Sequence, residues 1–359
     1  MQISYRDPFV QLLCNDIGCL ISKESVDRLS VEMRLRELAT ANSPQTAEYW
    51  KRTSPGFGVP DHAYKSCPPY FFPEEHPVAT FRTSGTVGRN TGTVAYTARG
   101  LELMNLSILA NARRHILADL SEPIIIRLVP SKRSAPAMVM AYGMELIAEE
   151  FGDQALSACV LTSDGFDRRL LQTRLDAAIA EQRPVVLIGG TLGIVNLCDA
   201  LDRDGLSWEL PAGSRIVDAG GFKGRSKAVP VDAMREQAKR VFDVDPHRCI
   251  NLFGMTELAS QLYDSTDIAV GPLGERPKTS ESFVRLQVRD PLDLSLREQG
   301  RGMLEIVDLC ILDRPYAVLA GDWGIASPAG IAVAGRIERG HSRGCSLTLD
   351  DITTPASRT

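Results

Sequence analysis

The chain opens with apolar residues at helical spacing. Leu12, Leu13, Leu20, Ile21, Val26, Leu29, Val31, Met33, Leu35 and Leu38 recur with charges between them, which predicts helices over residues 1 to about 45. Residues 51–77 break this pattern. Pro55, Gly56, Gly58, Pro60, Pro68, Pro69, Pro73 and Pro77 punctuate an aromatic run, and the segment reads as a long loop. A glycine turn follows at residues 84–92, and Thr93 to Tyr96 reads as the strand that leaves it.

From there the pattern alternates. Helical periodicity covers Leu101 to Leu120, Ala135 to Phe151, Leu170 to Glu181, Leu192 to Leu201 and Ala233 to Val241. Between these lie short runs that are apolar throughout: Ile124 to Val129, Pro184 to Ile188, Arg215 to Ala219 and Arg248 to Phe253. Strands without a polar face, separated by helices, imply a parallel sheet covered on both sides. From about residue 283 the texture changes. Val284, Leu286 and Val288 alternate with polar residues, and Gly302 to Val307, Ala317 to Ala320 and Ile331 to Ala334 read as antiparallel strands. The expected fold class is α/β, with mostly parallel sheets, covering helices and a small β subdomain. The expected ranges are 1–282 for the α/β core, 283–340 for the β subdomain and 341–359 for a short tail.

Composition narrows the function classes. The chain has 359 residues with 44% hydrophobic and 24% charged, and a net charge of −5, so neither nucleic acid nor an anionic membrane is expected as the main partner. The N-terminus lacks a signal-peptide core and no run of 18 apolar residues occurs, so no membrane span and a cytoplasmic location are expected. The eight cysteines show no C-x-x-C pair and no zinc-ligand spacing, and buried free thiols are expected for all but Cys345. None of the five histidines follows a Gly-x-Ser-x-Gly turn, which argues against a serine hydrolase.

Ligands on parallel sheets bind beyond the carboxyl ends of strands. Gly189-Gly190-Thr191, Gly220-Gly221 and Gly254-Met255-Thr256-Glu257 all stand just past predicted strand ends, which favours one shared crevice. The glycine turn Thr83-Ser84-Gly85-Thr86-Val87-Gly88 combines hydroxyls with glycines, the chemistry of a phosphate cradle. It is not a Walker motif, because Gly-Lys-Ser/Thr is missing.

The cradle and the segment Asn251-Leu252-Phe253-Gly254-Met255-Thr256-Glu257 together resemble the ANL superfamily of adenylate-forming enzymes. Gly254 to Asp264, Gly220 to Gly224, Gly335-Arg336 and Arg343-Gly344-Cys345-Ser346 are most similar to the acyl-protein synthetase branch of luciferase operons. Short adenylating proteins of phenazine antibiotic biosynthesis are of the same kind. The resemblance spans roughly residues 75 to 350. It implies an ANL-type N-terminal domain and ATP-dependent activation of a carboxylic acid with Mg2+. The acid is expected to be fatty or aromatic, a phenazine carboxylate among them. Full-length relatives carry a further lid domain of about a hundred residues with a catalytic lysine, expected to be absent here.

The same resemblance implies residue roles. Thr83, Ser84, Gly85, Thr86 and Gly88 would hold the β- and γ-phosphates. Thr256 and Glu257 would touch the α-phosphate and hold Mg2+, although an acid in the first turn of a helix is the structural alternative for Glu257. Gly220 and Gly221 would flank adenine. Asp322 would accept from the ribose hydroxyls, with a turn cap as its alternative, and Arg336 would reach ribose or phosphate or pair with Asp322 or Glu338. Val87 replaces the family's second Thr, and Arg89 or Arg99 would replace its following Lys. Cys345, beside Arg343, would accept the acyl group as a thioester, an amino acid or a carrier protein being the other acceptors. Two rival readings are a binding protein that has lost turnover and an acyltransferase that uses Cys345 without adenylation.

Overall fold

The computed structural model describes residues 2–83, 91–162, 165–220, 231–267 and 276–337. They divide into two compact units, neither contiguous in sequence. The first takes residues up to Asn111, Met255–Leu262 and 277–337, and the second takes Ala112–Gly254 and Tyr263–Arg276.

In the first unit, helices Pro8–Ser22, Arg28–Asn42 and Pro44–Arg52 form the N-terminal segment. Each starts where the sequence supplies a cap: the Asp7 carboxylate accepts from Phe9 N, Asp27 from Leu29 N and Ser30 N, and Ser43 from Thr46 N. Pro8 and Pro44 occupy first-turn positions, where a missing N–H costs nothing. The β texture after residue 283 is a sheet in the order Val59–Pro60, Ala317–Ser327, Gly300–Asp308, Val284–Arg289, with Gly330–Arg336 also paired to Ala317–Ser327. A separate antiparallel hairpin joins Ala79–Arg82 to Thr93–Tyr96 around the glycine turn.

Two elements here differ from expectation. The strand expected over Ala317 to Ala320 continues through Gly321 and Gly324 to Ser327. Glycine is required at position 324 by close packing: a Cβ there would stand 2.9 Å from Val288 Cγ2. Within the supposed loop 51–77, Val59–Pro60 pairs parallel with Val318–Leu319, and a short helix Ala63–Ser66 follows. Two residues are too few to leave a periodic signal.

In the second unit the continuous apolar runs form the expected parallel sheet. Its strands run Cys249–Phe253, Arg215–Ala219, Val185–Gly190, Ile124–Leu128, Ala158–Cys159, every pair parallel, and Leu262–Tyr263 lies beyond Cys249–Phe253. Helices Val139–Phe151, Arg168–Ala180, Thr191–Arg203 and Val231–Phe242 belong to the same unit. A core of Ile124, Ile126, Leu128, Leu187, Leu197 and Phe242 is almost wholly excluded from water. The helix expected from Ala135 begins at Val139, because Pro136 disfavours helical backbone at the residue before it. The helix expected over Leu101 to Leu120 is Ala98–His115, which starts early because Thr97 Oγ1 accepts from Gly100 N at 3.1 Å.

Among the described residues no helix is long and apolar enough to cross a membrane. Cys198, Cys249 and Cys310 are buried free thiols, as expected, and burial pushes the first two up to about 12. Cys14, Cys19 and Cys159 are only partly buried, and Cys67, which follows the Ala63–Ser66 helix, is exposed, so these four depart from that expectation.

Gly58 sets the register of the Val59–Pro60 strand. Its N–H donates to Glu305 Oε1 at 2.7 Å, its carbonyl accepts from Tyr49 Oη at 3.0 Å, and a Cβ would lie 2.6 Å from Leu319 N. Gly58→Ala is expected to destabilise the protein by about 1–3 kcal/mol through overpacking, read by urea denaturation. A variant as stable as the parent would show that this contact yields freely.

Candidate nucleotide-binding site

Residues far apart in sequence meet in the first unit. The chain leaves strand Cys249–Phe253 and enters a turn that carries Thr256 and Glu257, both buried. The turn is not helical, so the first-turn alternative for Glu257 does not apply. Thr256 Oγ1 donates to the carbonyl of Arg82, at the end of the strand that feeds the glycine turn, at 3.4 Å.

Three buried side chains fix this turn. Arg314, 1% exposed, donates through Nε to the Glu257 carbonyl at 3.0 Å and through Nη2 to Tyr96 Oη at 2.6 Å. Tyr96 Oη in turn donates to the Leu258 carbonyl at 3.0 Å. The Asp308 carboxylate accepts from Ala259 N at 2.8 Å, from Ser260 N at 2.7 Å and from Ser260 Oγ at 2.8 Å. Charge-assisted bonds of this kind are stronger than neutral ones and hold the backbone in one geometry.

The Glu257 carboxyl thus sits in a fixed, dry position. Burial is the largest influence on it and pushes its pKa up to about 7; Asp61 adds to the rise, while Arg336 and Lys65 oppose it. Asp322 lies on strand Ala317–Ser327, directly across from Arg336 on Gly330–Arg336. Arg336 stands between two acids, with Nε 3.8 Å from Asp322 Oδ1 and Nη1 3.9 Å from Asp61 Oδ2. These are ion pairs without hydrogen bonds. Glu338, the other partner expected for Arg336, lies outside the described residues.

Asp61 is a site residue that the sequence did not reveal. Its N–H donates to the Leu319 carbonyl at 3.0 Å, continuing the Val59–Pro60 pairing, and a Cβ on Gly321 would lie 3.0 Å from its Oδ2. The only signal was Gly58 before a Val-Pro pair, inside a stretch rich in both residue types.

Of the expected phosphate loop, Thr83 is described. It is buried, its N–H donates to the Gly92 carbonyl at 2.8 Å, and its Oγ1 has no hydrogen-bond partner among the described residues. Ser84, Gly85, Thr86 and Gly88 lie outside the described residues, as do Arg89, Gly221 and Cys345. Arg99, an expected cation for the loop, is engaged elsewhere: its guanidinium lies 4.7 Å above the Tyr5 ring and donates to the Tyr5 carbonyl at 2.8 Å.

Gly220 belongs to the second unit. It has φ +94°, and a Cβ there would meet nothing within 4 Å, so the backbone conformation calls for glycine rather than lack of room. The neighbouring strand ends are tied together. Thr191 Oγ1 and Asn251 Nδ2 both donate to Asp218 Oδ2 at 2.7 Å, which ties the strands Val185–Gly190, Arg215–Ala219 and Cys249–Phe253 to one another.

The arrangement suits a polyanion and a divalent cation. The unpartnered Thr83 hydroxyl is a ready donor. Glu257 has been desolvated without a cation within 4 Å among the described residues, and a metal ion would supply that charge. No group of three or more metal-ligating side chains occurs among the described residues. A metal here would therefore take one carboxylate, with phosphate oxygens and water completing its shell, as Mg2+ prefers.

Neither a family profile nor a curated protein matches the sequence. Solved structures do. The chain is similar to a long-chain-fatty-acid-CoA ligase from Archaeoglobus fulgidus, with 14% identity and a TM-score of 0.51, over 74% of this chain and 52% of that one. It is similar to 2-hydroxyisobutyryl-CoA ligase in complex with 2-HIB-AMP and CoA, with 13% identity and a TM-score of 0.52, over 91% and 68%. It is also similar to McyG A-PCP complexed with phenylalanyl-adenylate, with 15% identity and a TM-score of 0.50, over 74% and 48%. The chain spans about half the length of the first and the last of these. At such identities the likeness shows the fold: the mixed α/β fold of ANL N-terminal adenylation domains, as the sequence resemblance implies.

Two outcomes follow from the buried charges. Arg314→Met leaves the Glu257 carbonyl and the Tyr96 hydroxyl without a donor, and a loss of about 2–6 kcal/mol is expected at 1–3 per group; a loss below 1 kcal/mol in chemical denaturation contradicts the bracing role. Asp313 is buried, and burial pushes its pKa up to about 6 against the Thr97 hydrogen bond that lowers it. The unfolded chain releases this proton near pH 4 and the folded chain near pH 6, so stability falls across that window by about 3 kcal/mol. Asp313→Asn removes this slope, and its stability relative to the parent is expected to rise by that amount between pH 4 and pH 7. Parallel stability curves would refute it.

Proposed function

We propose that the protein activates a carboxylic acid with ATP, forming an acyl-adenylate and pyrophosphate. The observation that carries this reading is the convergence in one unit of Thr83, Thr256, Glu257, Asp322 and Arg336, drawn from four separate stretches of chain. A carboxylate oxygen attacks the α-phosphorus, the bond from that phosphorus to the bridging oxygen breaks, and pyrophosphate leaves with the electron pair. No proton need move, so catalysis rests on positioning and on stabilising negative charge.

Each residue has a role in that task. The Thr83 hydroxyl donates to phosphate oxygens, and the Thr256 hydroxyl does so on giving up its 3.4 Å contact with the Arg82 carbonyl. Glu257 would hold a magnesium ion, which would neutralise charge on the phosphates when bound. The Asp322 carboxylate accepts from the ribose diol, and Arg336 holds Asp322 in place while adding positive charge. The acid is of the fatty or aromatic class, and the neighbours solved with 2-HIB-AMP and phenylalanyl-adenylate hold products of the kind expected. Cys345 is the proposed acceptor, its thiol taking the acyl group from the adenylate and releasing AMP.

Acid-dependent ATP–pyrophosphate exchange tests the reading. With a panel of fatty and aromatic acids, exchange is expected above background for at least one, and Glu257→Gln is expected to lower it about 10²–10³-fold, the usual cost of removing one preorganised electrostatic group. Exchange that is absent for every acid, or unaffected by Glu257→Gln, rejects it. Intact-mass analysis after turnover reads the second step directly: one acyl group on the parent and none on Cys345→Ala.

A further inference from the structure

The described site carries more acid than base. Asp61, Glu257 and Asp322 contribute three carboxylates, while Arg336 is shared between two of them. A triphosphate entering this field needs a further cation beyond any bound metal ion. Arg99, as described above, is committed to Tyr5.

The helix Ala63–Ser66 lies against the base of the glycine turn. A Cβ on Gly92 would stand 2.7 Å from the Tyr64 carbonyl oxygen and 2.8 Å from Thr83 Oγ1, so the Tyr64 backbone and the Thr83 hydroxyl flank the same glycine. Tyr64 itself is wholly buried, with its hydroxyl directed to the Pro315 carbonyl at 3.4 Å, and this fixes the helix about its axis. Lys65 is the next residue. Its side chain is half-buried, it has no carboxylate within 4 Å among the described residues, and its charge favours the ionised form of Glu257.

We propose that Lys65 binds the polyphosphate of ATP, its ammonium bridging the space between the base of the glycine turn and Glu257. The assignment rests on the nucleotide site proposed above and adds a binding residue to it. An ammonium with no carboxylate within 4 Å among the described residues, carried on the helix whose backbone flanks Gly92 together with the Thr83 hydroxyl, is the point charge that a phosphate chain recruits.

Direct binding measurements on the full chain, by calorimetry with ATP, AMP and inorganic pyrophosphate in the presence of Mg2+, test it. Lys65→Gln is expected to weaken ATP and pyrophosphate about tenfold or more, as loss of a charge-assisted contact does, while AMP changes less than about twofold. Lys65→Arg is expected to restore most of the ATP affinity, and the dependence of ATP binding on salt is expected to be shallower in Lys65→Gln than in the parent. If Lys65→Gln binds ATP as the parent does, or loses AMP equally, the assignment is wrong while the nucleotide site stands. If the parent binds no ATP, the site and the assignment fall together. If ATP binds and depends on Lys65 but no acid supports exchange, the assignment holds and the catalytic reading fails.

Discussion

The hydrogen bond from the buried Arg314 guanidinium to the Glu257 carbonyl is the contact on which the site depends. A turn that ends a strand is ordinarily free to rearrange, because its backbone groups turn to water. Here Arg314, Tyr96 and Asp308 satisfy the carbonyls of Glu257 and Leu258 and the N–H groups of Ala259 and Ser260 from inside the protein. Burying these charges is costly, and in stability alone an apolar packing would serve as well. What the charges supply is a single backbone geometry for two side chains, Thr256 and Glu257, that must meet a ligand at fixed positions.

The second unit uses a different device at its own strand ends. Polar side chains on and beside three neighbouring parallel strands bond to one another, with the Asp218 carboxylate receiving Thr191 from one side and Asn251 from the other. The network ties the strands together, and Gly220, with its positive φ, stands just past the end of Arg215–Ala219. The first unit fixes a turn with buried charges, and the second fixes an edge with a shared acceptor.

Much of the fold was legible in the sequence because its strands are of two easily separated kinds. Runs such as Ile124-Ile125-Ile126 declare burial on both faces, and the alternation of Val284, Leu286 and Val288 declares a half-buried antiparallel strand. Elements that depend on partners were not legible. Val59–Pro60 is a strand only because Val318–Leu319 lies beside it. The extension of Ala317–Ser327 through two glycines depends on side chains above and below. The site divides in the same way. Thr83, Thr256, Glu257, Asp322 and Arg336 were named from local motifs, and the structure brings them into one unit. Asp61, Lys65 and Arg314 were not named, because each acts through a residue in a distant stretch of the chain, Arg314 on Glu257 and the other two across still longer separations, and no local pattern encodes such pairings.

The discontinuity of the first unit has a consequence for biosynthesis. Its strands after residue 283 pair with residues near position 59 and pack its N-terminal helices, whereas the described residues of the second unit end at Arg276. A chain emerging from the ribosome can finish the parallel sheet while its first hundred residues still wait for their β partners. Pairing across so long a separation is slow, since the loop must close before any contact rewards it. The helices Pro8–Ser22, Arg28–Asn42 and Pro44–Arg52 are therefore exposed to premature association until those strands arrive.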